Sequence, residues 1–523
     1  MGRRGGVAVN RALLVAAGIL LSRISGFVRM RVFAHYFGLR SDPADAFNAA
    51  FRVPNFLQNL FGEGALSASF IPVYAALVSR GQRAEADRVA GAVGALIAAV
   101  VSVIVLVGVL ATPLMIAVIA PGFTGEKREL TITIARILFP GAGMLALAAW
   151  CLGVLNSHDK FILSYASPVL WNAAMVIALL AFGGDSSMSQ LAVVLAWGSA
   201  IGSVLQVLVQ LPMVLRVAPD LRIAFDLTSS HVRTVGRNFL PVFVSRGVAQ
   251  MSAYIDALLA SLLPTGAVTG LANAAVLYSL PVSLFGVSVA ASELPAMSGA
   301  TLDGAGAEAV RARLEAGLRR IAFFVVPSSV AFLALGDVVA GAVFQTGKFT
   351  HEDAVYVWAI LAGSSVGLVA STLGRLYSST YYALRDTRTP VRYALVRVAL
   401  TTALGYVCAL PVPRLLGIDP GWGAAGLSAS AGIAGWVEMF LLRRSLKARI
   451  GSAGMPVRYL WTLWGVALSG AALGWAVKLS LPPVHPVVLA AAVLTPYGLT
   501  YFGATHALRI PEASSTVRRI FRR

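Results

Sequence analysis

Apolar residues fall along this chain in long blocks separated by short polar connections, from near the first residue almost to the last. A block of about 20 mostly apolar residues is what an α-helix needs to cross the hydrocarbon core of a bilayer. Reading helices from the blocks predicts fourteen spans: 12–37, 44–78, 89–119, 130–155, 161–182, 190–215, 236–263, 269–298, 320–345, 353–384, 391–411, 423–442, 459–480 and 486–508. Segments of about ten residues with alternating polarity, the mark of an outer-membrane barrel, are absent. The predicted fold class is an all-α polytopic membrane protein with fourteen transmembrane helices.

Composition agrees with the pattern. Of 523 residues, 58% are hydrophobic and 12% charged, and the mean hydropathy is +0.78. So thin a charged shell could not cover a soluble fold of this size. The 50 glycines, many in Ala/Gly/Ser-rich stretches, suit helices that approach closely in lipid. A net charge of +19 raises nucleic acid as a partner, but its placement argues against that. Alternate connections are basic: Arg80/Arg83/Arg88, Lys160, Arg216/Arg222/Arg233/Arg237, Arg311/Arg313/Arg319/Arg320, Arg385/Arg388/Arg392 and Arg443/Arg444/Lys447/Arg449/Arg458. The intervening connections are poor in Lys and Arg, and both tails are basic. The positive-inside rule then puts both termini in the cytoplasm, as an even number of spans requires. The N-terminus carries a signal peptide's charge without a small-residue cleavage site before Arg23, so a retained first span is expected.

The chain repeats itself after about 225 residues. "LLSRISGFVRMRVFAHYFG" has a counterpart in "VFVSRGVAQMSAYIDALLASLL", each with a Ser-Arg pair, Ser22-Arg23 and Ser245-Arg246. "DAFNAAFRVPNFLQNLFGEGALSASFIPVYA" answers "LANAAVLYSLPVSLFGVSVAASELPAMS", with Pro54 and Pro72 matched by Pro281 and Pro295. "PGFTGEKREL" pairs with "FQTGKFTHED", and "CLGVLNSHDKF" with "YYALRDTRTPV". Six spans per copy keep the copies in one orientation, which predicts two six-helix lobes in parallel pseudo-repeat. The expected division is an N-terminal lobe at 1–220, a C-terminal lobe at 221–450, and a helix pair with a basic tail at 451–523. Two such lobes suit alternating access, which points to transport rather than catalysis.

Eight basic residues remain in or beside spans: Arg23, Arg29, Arg31, Arg52, Arg136, Arg246, Arg375 and Arg397. Acids at similar depth are fewer, namely Asp45, Glu63, Asp256, Glu293 and Glu438. Snorkelling to the headgroups can account for Arg31, Arg136 and Arg397, and an ion pair of Arg52 with Asp45 or Glu63 for another. Arg23 and Arg29 sit well inside the first span, where a charge costs about 2.5 to 3.5 kcal/mol on insertion scales. The functional reading is a water-filled cavity with a cationic wall, since guanidinium forks match phosphate and carboxylate oxygens. The ligand expected is a large anion. Pro54, Pro72, Pro281 and Pro295 would break the second and eighth spans as hinge elements beside it, with core kinking as the alternative.

Other signals carry little. Cys151 and Cys408 lie in apolar runs and read as packing residues without a disulfide. "GSSVG" at 363–367 matches a hydrolase pattern but lies in an apolar helix with no strand before it, so small-residue packing is the reading. The six histidines show no metal spacing, and no Walker loop or dinucleotide fingerprint occurs. No cofactor is expected and the protein reads as a transporter, not an enzyme. Its energy would come from a monovalent cation gradient or the membrane potential, about 2.3 kcal/mol per charge per 100 mV.

The stretches "SRISGFVRMRVFAHYFG", "ADAFNAAFRVPNFLQNLFGEGALSASFIPVYA", "APGF", "LGVLNSHDKF" and "YYALRDTRTPV" resemble the MurJ (MviN) family of lipid II flippases, within the multidrug/oligosaccharidyl-lipid/polysaccharide exporter superfamily. The resemblance runs from about residue 10 to 450, and the extra C-terminal helix pair fits it as a groove for a polyprenyl tail. It implies a multi-pass protein of the bacterial inner membrane that serves peptidoglycan synthesis. The substrate it implies, undecaprenyl-pyrophosphate-linked disaccharide-pentapeptide, moves from the inner to the outer leaflet. Arg23 and Arg29 match the family's first-span cavity arginines, and Asp45, Arg52 and Glu63 match polar positions of its second span. Arg246 and Arg375 complete the expected cationic set, with Asn55 beside Asp45 and Glu63 as a polar or gating residue. Membrane lipid and proteins of cell-wall synthesis are the other partners implied.

The chain departs from the family pattern at four positions. Met30 stands where an acid often follows the second arginine, Gln58 and Asn59 replace a basic pair, and Val276 replaces an arginine of the eighth span. Arg246, Arg375 or Arg52 are left to compensate. The alternatives are an exporter of drugs or of another polyprenyl-linked glycan, a non-transporting paralogue or scaffold, and an intramembrane glycosyltransferase. The last would need clustered acids, which the sequence lacks.

Overall fold

A computed structural model describes residues 2–61, 66–226, 228–302 and 306–515, with side chains for all of these except 2–16, 53, 54, 57, 58, 60, 67, 242–253, 301 and 302. The described residues are helices and their connections, with no strand among them. They group into two compact units, residues 1–262 with 346–348, and 263–345 with 349–523.

In the first unit the chain runs through α1 (Gly2–Phe37), α2 (Asp42–Phe61), α3 (Ser67–Ser69), α4 (Ile71–Ser79), α5 (Arg83–Ile119), α6 (Gly125–Ser157), α7 (Phe161–Ala166), α8 (Pro168–Phe182), α9 (Met188–Val217) and α10 (Ser230–Ser261). Two apolar clusters hold it. Phe70, Tyr74, Val93, Trp150 and Leu155 fill the space among α4, α5 and α6, closed by Val232 and Val235 at the start of α10. Phe37, Phe47, Ile134, Leu138, Leu179 and Leu195 join the end of α1 to α2, α6, α8 and α9. The opposite face of α5 shows what solvent it meets. Val103, Val107, Leu110, Leu114 and Val118 recur at helical spacing and are all exposed, Leu110 at 71%. Water would not tolerate such a stripe, whereas acyl chains do.

The second unit contains α11 (Ala267–Pro281), a π-helical turn (Val282–Val287), α12 (Ser288–Leu302), α13 (Gly306–Phe344), α14 (His351–Val366), α15 (Leu368–Ala383), α16 (Arg388–Ala409), α17 (Pro411–Leu415), a 3₁₀ turn (Pro420–Trp422), α18 (Gly423–Ile450), α19 (Val457–Ser480) and α20 (Pro486–Ala507). Its centre is α13, against which α12, α14, α15, α19 and α20 all pack. Pro327 lies inside α13 and has no N–H, which orphans the carbonyl of Phe323 four residues back. Tyr501 of α20 donates its hydroxyl to that carbonyl at 2.7 Å, and Tyr497 donates to the carbonyl of Pro327 at 2.6 Å. A second interruption falls at Leu335, whose backbone leaves helical geometry. The freed carbonyls of Leu333 and Ala334 accept the indole N–H of Trp358 and Trp475. Lys478 meets Asp337 one turn on.

Helix starts follow local chemistry. Ser187 with Gln190 and Thr350 with Asp353 form reciprocal capping boxes on α9 and α14. In "RDTRTP", Asp386 accepts the N–H of Arg388 and of Thr389, at 2.9 and 3.0 Å, ahead of α16. Asp226 does the same for Thr228 and Ser229 ahead of α10. The "GSSVG" stretch packs as expected. Gly367 lies where a Cβ would come within 2.3 Å of the Gly432 Cα, so α14 and α18 touch backbone to backbone.

Among the described residues, ten helical segments are long and apolar enough to cross a membrane, and an eleventh if α14 and α15, bent by 42°, make one span. These correspond to eleven of the fourteen expected spans. The remaining three, 12–37, 44–78 and 236–263, fall on α1, on α2 to α4 and on α10, each of which includes residues or side chains outside the described set.

Candidate functional site

Three of the acids singled out in the spans, Asp45, Glu293 and Glu438, are paired with cations of the protein. Asp45, 1% exposed, lies on α2 with the Lys127 ammonium of α6 at 3.0 Å, and the same ammonium holds Asp42 at 3.0 Å. Lys127 also sits over the Phe123 ring. In the second unit Glu293 of α12 faces Arg313 and Arg320, each at 3.7 Å. Glu438 of α18 holds Arg397 of α16 at 3.2 Å. Arg397, for which snorkelling was one of the readings, is ion-paired here. Of the two acids expected opposite Arg52, Glu63 lies outside the described residues and Asp45 pairs with Lys127. The Arg52 carbonyl accepts the Tyr254 hydroxyl at 3.1 Å, which ties α2 to α10.

Arg29 is placed differently. Its guanidinium carbon lies 5.4 Å from the centre of the Phe51 ring and 5.2 Å from that of Trp171. Those rings stack on each other at 5.6 Å and 11°. One N–H points at the Met175 sulfur, 3.5 Å away. No carboxylate pairs with Arg29 among the described residues. A ring face attracts a cation without accepting its N–H groups in the way a carboxylate does, so the charge is held but not cancelled. One turn earlier, Asn172 of α8 donates to Ser25 at 2.9 Å. Residues 171, 172 and 175 on α8 therefore fix the polar face of α1.

Arg23 lies two turns before Arg29, exposed, and makes no ion pair among the described residues. Arg375 of α15 is likewise exposed and without an ion pair among the described residues. On the neighbouring turn, Ser371 shares a hydrogen bond with the Tyr278 hydroxyl at 2.6 Å. Arg136 is exposed on α6. The side chains of Arg246, Pro54 and Gln58 lie outside the described residues, as does Glu63 altogether. Asn55 is half-buried on α2, Asn59 exposed and Val276 half-buried.

Of the four prolines, Pro54 falls within α2, which continues to Phe61. Pro72 starts α4 after a break at Phe70. Pro281 ends α11 where the π-helical turn begins, and Pro295 lies inside α12.

Outside the spans, His158 bonds the Tyr74 hydroxyl at 2.9 Å. Burial lowers its pKa from the ordinary histidine value, against the opposing pull of Asp87.

Charge counting along the sequence finds Arg29 and Arg23 but not what surrounds them. Phe51, Trp171 and Met175 are apolar residues in apolar runs. The one signal was spacing, with Phe47 and Phe51, and Trp171 and Met175, each four apart.

Comparison with known proteins follows the same lines. A solved structure titled "Lipid II flippase MurJ, inward closed conformation" superposes with a TM-score of 0.77, at 23% identity, over 95% of this chain and 100% of that one. An inward-facing multidrug resistance MATE family transporter of the MOP superfamily gives 0.66 at 16% identity, over 82% and 94%. The lipid II flippase MurJ of Burkholderia cenocepacia is 31% identical over 510 residues, 94% of this chain and 96% of its own. The probable lipid II flippase MurJ of Vibrio cholerae is 28% identical over 477 residues, 89% and 87% of the two chains. The family model described as "Lipid II flippase MurJ" matches residues 33–500. A match running from the end of α1 into α20, with a relative this similar along almost its whole length, means that the chain belongs to the MurJ family of lipid II flippases.

Proposed function

We propose that this protein is a lipid II flippase of the bacterial inner membrane, a transporter and not an enzyme. It carries undecaprenyl-pyrophosphate-linked disaccharide-pentapeptide to the outer leaflet for peptidoglycan synthesis. Membership of the family supports the substrate, and Arg29 carries the reading. A guanidinium held at bilayer depth by ring faces, with no carboxylate partner among the described residues, is a receptor for an anion that arrives with the ligand. Pyrophosphate is such an anion. Arg23, Arg52, Arg246 and Arg375 join Arg29 as receptors for it and for peptide carboxylates. Asp45, Asn55 and Glu63 are polar or gating residues of the second span, and Pro54, Pro72, Pro281 and Pro295 are hinges.

The finer architecture belongs to the same proposal. It comprises fourteen spans, two six-span lobes at 1–220 and 221–450, a helix pair at 451–523, both termini in the cytoplasm, and alternating access. The alternation of basic and base-poor connections supports the orientation. Coupling is to the membrane potential or to a monovalent cation, without a bound cofactor.

The test is complementation of a flippase-depleted bacterium, with lipid II exposure at the outer surface measured alongside growth. Wild-type protein restores both, and Arg29→Ala at equal membrane level restores neither. Full rescue by Arg29→Ala contradicts the reading. Asn59 and Val276, where the family carries bases, favour a second reading, export of another polyprenyl-linked glycan. Vesicles that move such a glycan and ignore lipid II would establish it instead.

A further inference from the structure

The Arg29 guanidinium is the end of a continuous aromatic ladder. Phe37 stacks on Phe33 at 4.6 Å, Phe33 meets Phe47 at 5.5 Å, Phe47 stacks on Phe51 at 5.4 Å, and Phe51 on Trp171 at 5.6 Å. The rings come from α1, α2 and α8, so the shelf is fixed by three helices at once. Trp171 is pinned further. Its indole N–H reaches both the carbonyl and the hydroxyl of Ser199 on α9, each at 3.1 Å.

We infer that Trp171 and Phe51 are positioning residues for anion recognition. They set the plane of the Arg29 guanidinium and keep its N–H donors available to phosphate oxygens. This rests on the proposal that Arg29 receives the pyrophosphate. A carboxylate in the same place would occupy those donors and have to be displaced by the incoming ligand. A free arginine on a long stem would have to be ordered at binding, which weakens affinity. The ring shelf avoids both costs. Its flat faces accept a planar guanidinium and leave the edge, where the N–H groups lie, exposed to a partner. Met175 takes one N–H as a weak sulfur acceptor, which orients the fork without competing with phosphate.

The test is a double-mutant cycle on purified full-length protein in detergent micelles, with lipid II as titrant and Kd as the readout. Arg29→Ala reports on the underlying reading, and unchanged Kd for that variant overturns the reading itself. Given a loss there, Trp171→Leu is expected to weaken binding about two- to tenfold, the factor that corresponds to ordering one long side chain at binding. Trp171→Phe, which keeps a ring, retains most of the affinity. In the Arg29→Ala background, Trp171→Leu is expected to cost nothing more, because it acts only through Arg29. An equal loss in both backgrounds, or no loss in either, overturns the positioning role and leaves the reading of Arg29 standing. Phe51→Leu carries the same expectation and replaces Trp171→Leu if that variant does not fold.

Discussion

Arg29 and Asp45 have opposite surroundings. Arg29 rests on rings, whereas Asp45 is locked to Lys127. The shape of the guanidinium matters as much as its charge, since a lysine ammonium neither stacks nor forks. Arg29→Lys is therefore expected to lower lipid II exposure at the cell surface about tenfold or more at unchanged protein level. Lys127→Met leaves the buried Asp45 carboxylate without its ammonium and should lower stability by about 3 to 5 kcal/mol, read from unfolding in detergent. Adding Asp45→Asn should recover much of that loss. The sequence displayed each of these charges but not the partner choice. Asp45 and Lys127 are 82 residues apart, Arg397 and Glu438 are 41 apart, and only packing of α2 on α6 and α16 on α18 brings them together. Trp171 was less visible still, because nothing separates a shelf tryptophan from a core one in an apolar run.

At the scale of elements, the apolar blocks were legible because their cause is local, whereas the helix caps came from the structure. "RDTRTP" is a helix start in which Asp386 binds Thr389 through backbone and hydroxyl, with Arg449 at 2.6 Å. These contacts pull the Asp386 pKa down to about 2, the Thr389 hydroxyl first among the causes. A depressed carboxylate adds stability above its ordinary value near 3.9, and that contribution is lost as pH falls through the folded value. Asp386→Asn should therefore lower the melting temperature at pH 7, and the gap from wild type should close between about pH 4 and pH 2. The interruptions of α13 were not legible, because their stabilising donors sit on α14, α19 and α20. Tyr501→Phe leaves the Phe323 carbonyl unsatisfied and should cost about 1 to 3 kcal/mol in unfolding measurements. In a Pro327→Ala background, where an N–H returns to that carbonyl, the cost should largely vanish.

At the scale of the molecule, the all-helical membrane fold was visible in composition and block length alone, since a bilayer admits few alternatives. The family membership rests on a match from residue 33 to 500. What composition could not reveal is how the protein allocates its counter-charges. Asp45, Glu293, Glu438 and Asp337 are each spent on lysines or arginines of the chain. Arg23, Arg29 and Arg375 have no ion pair among the described residues. On the function proposed above, the pyrophosphate of the lipid supplies the missing half of these ion pairs. The most direct measurement is lipid II translocation in proteoliposomes that hold either wild-type protein or Arg29→Ala, reconstituted at equal density. Transport by the wild type that drops to the protein-free rate in Arg29→Ala is the predicted result. Transport of lipid II at the wild-type rate by Arg29→Ala would contradict the account.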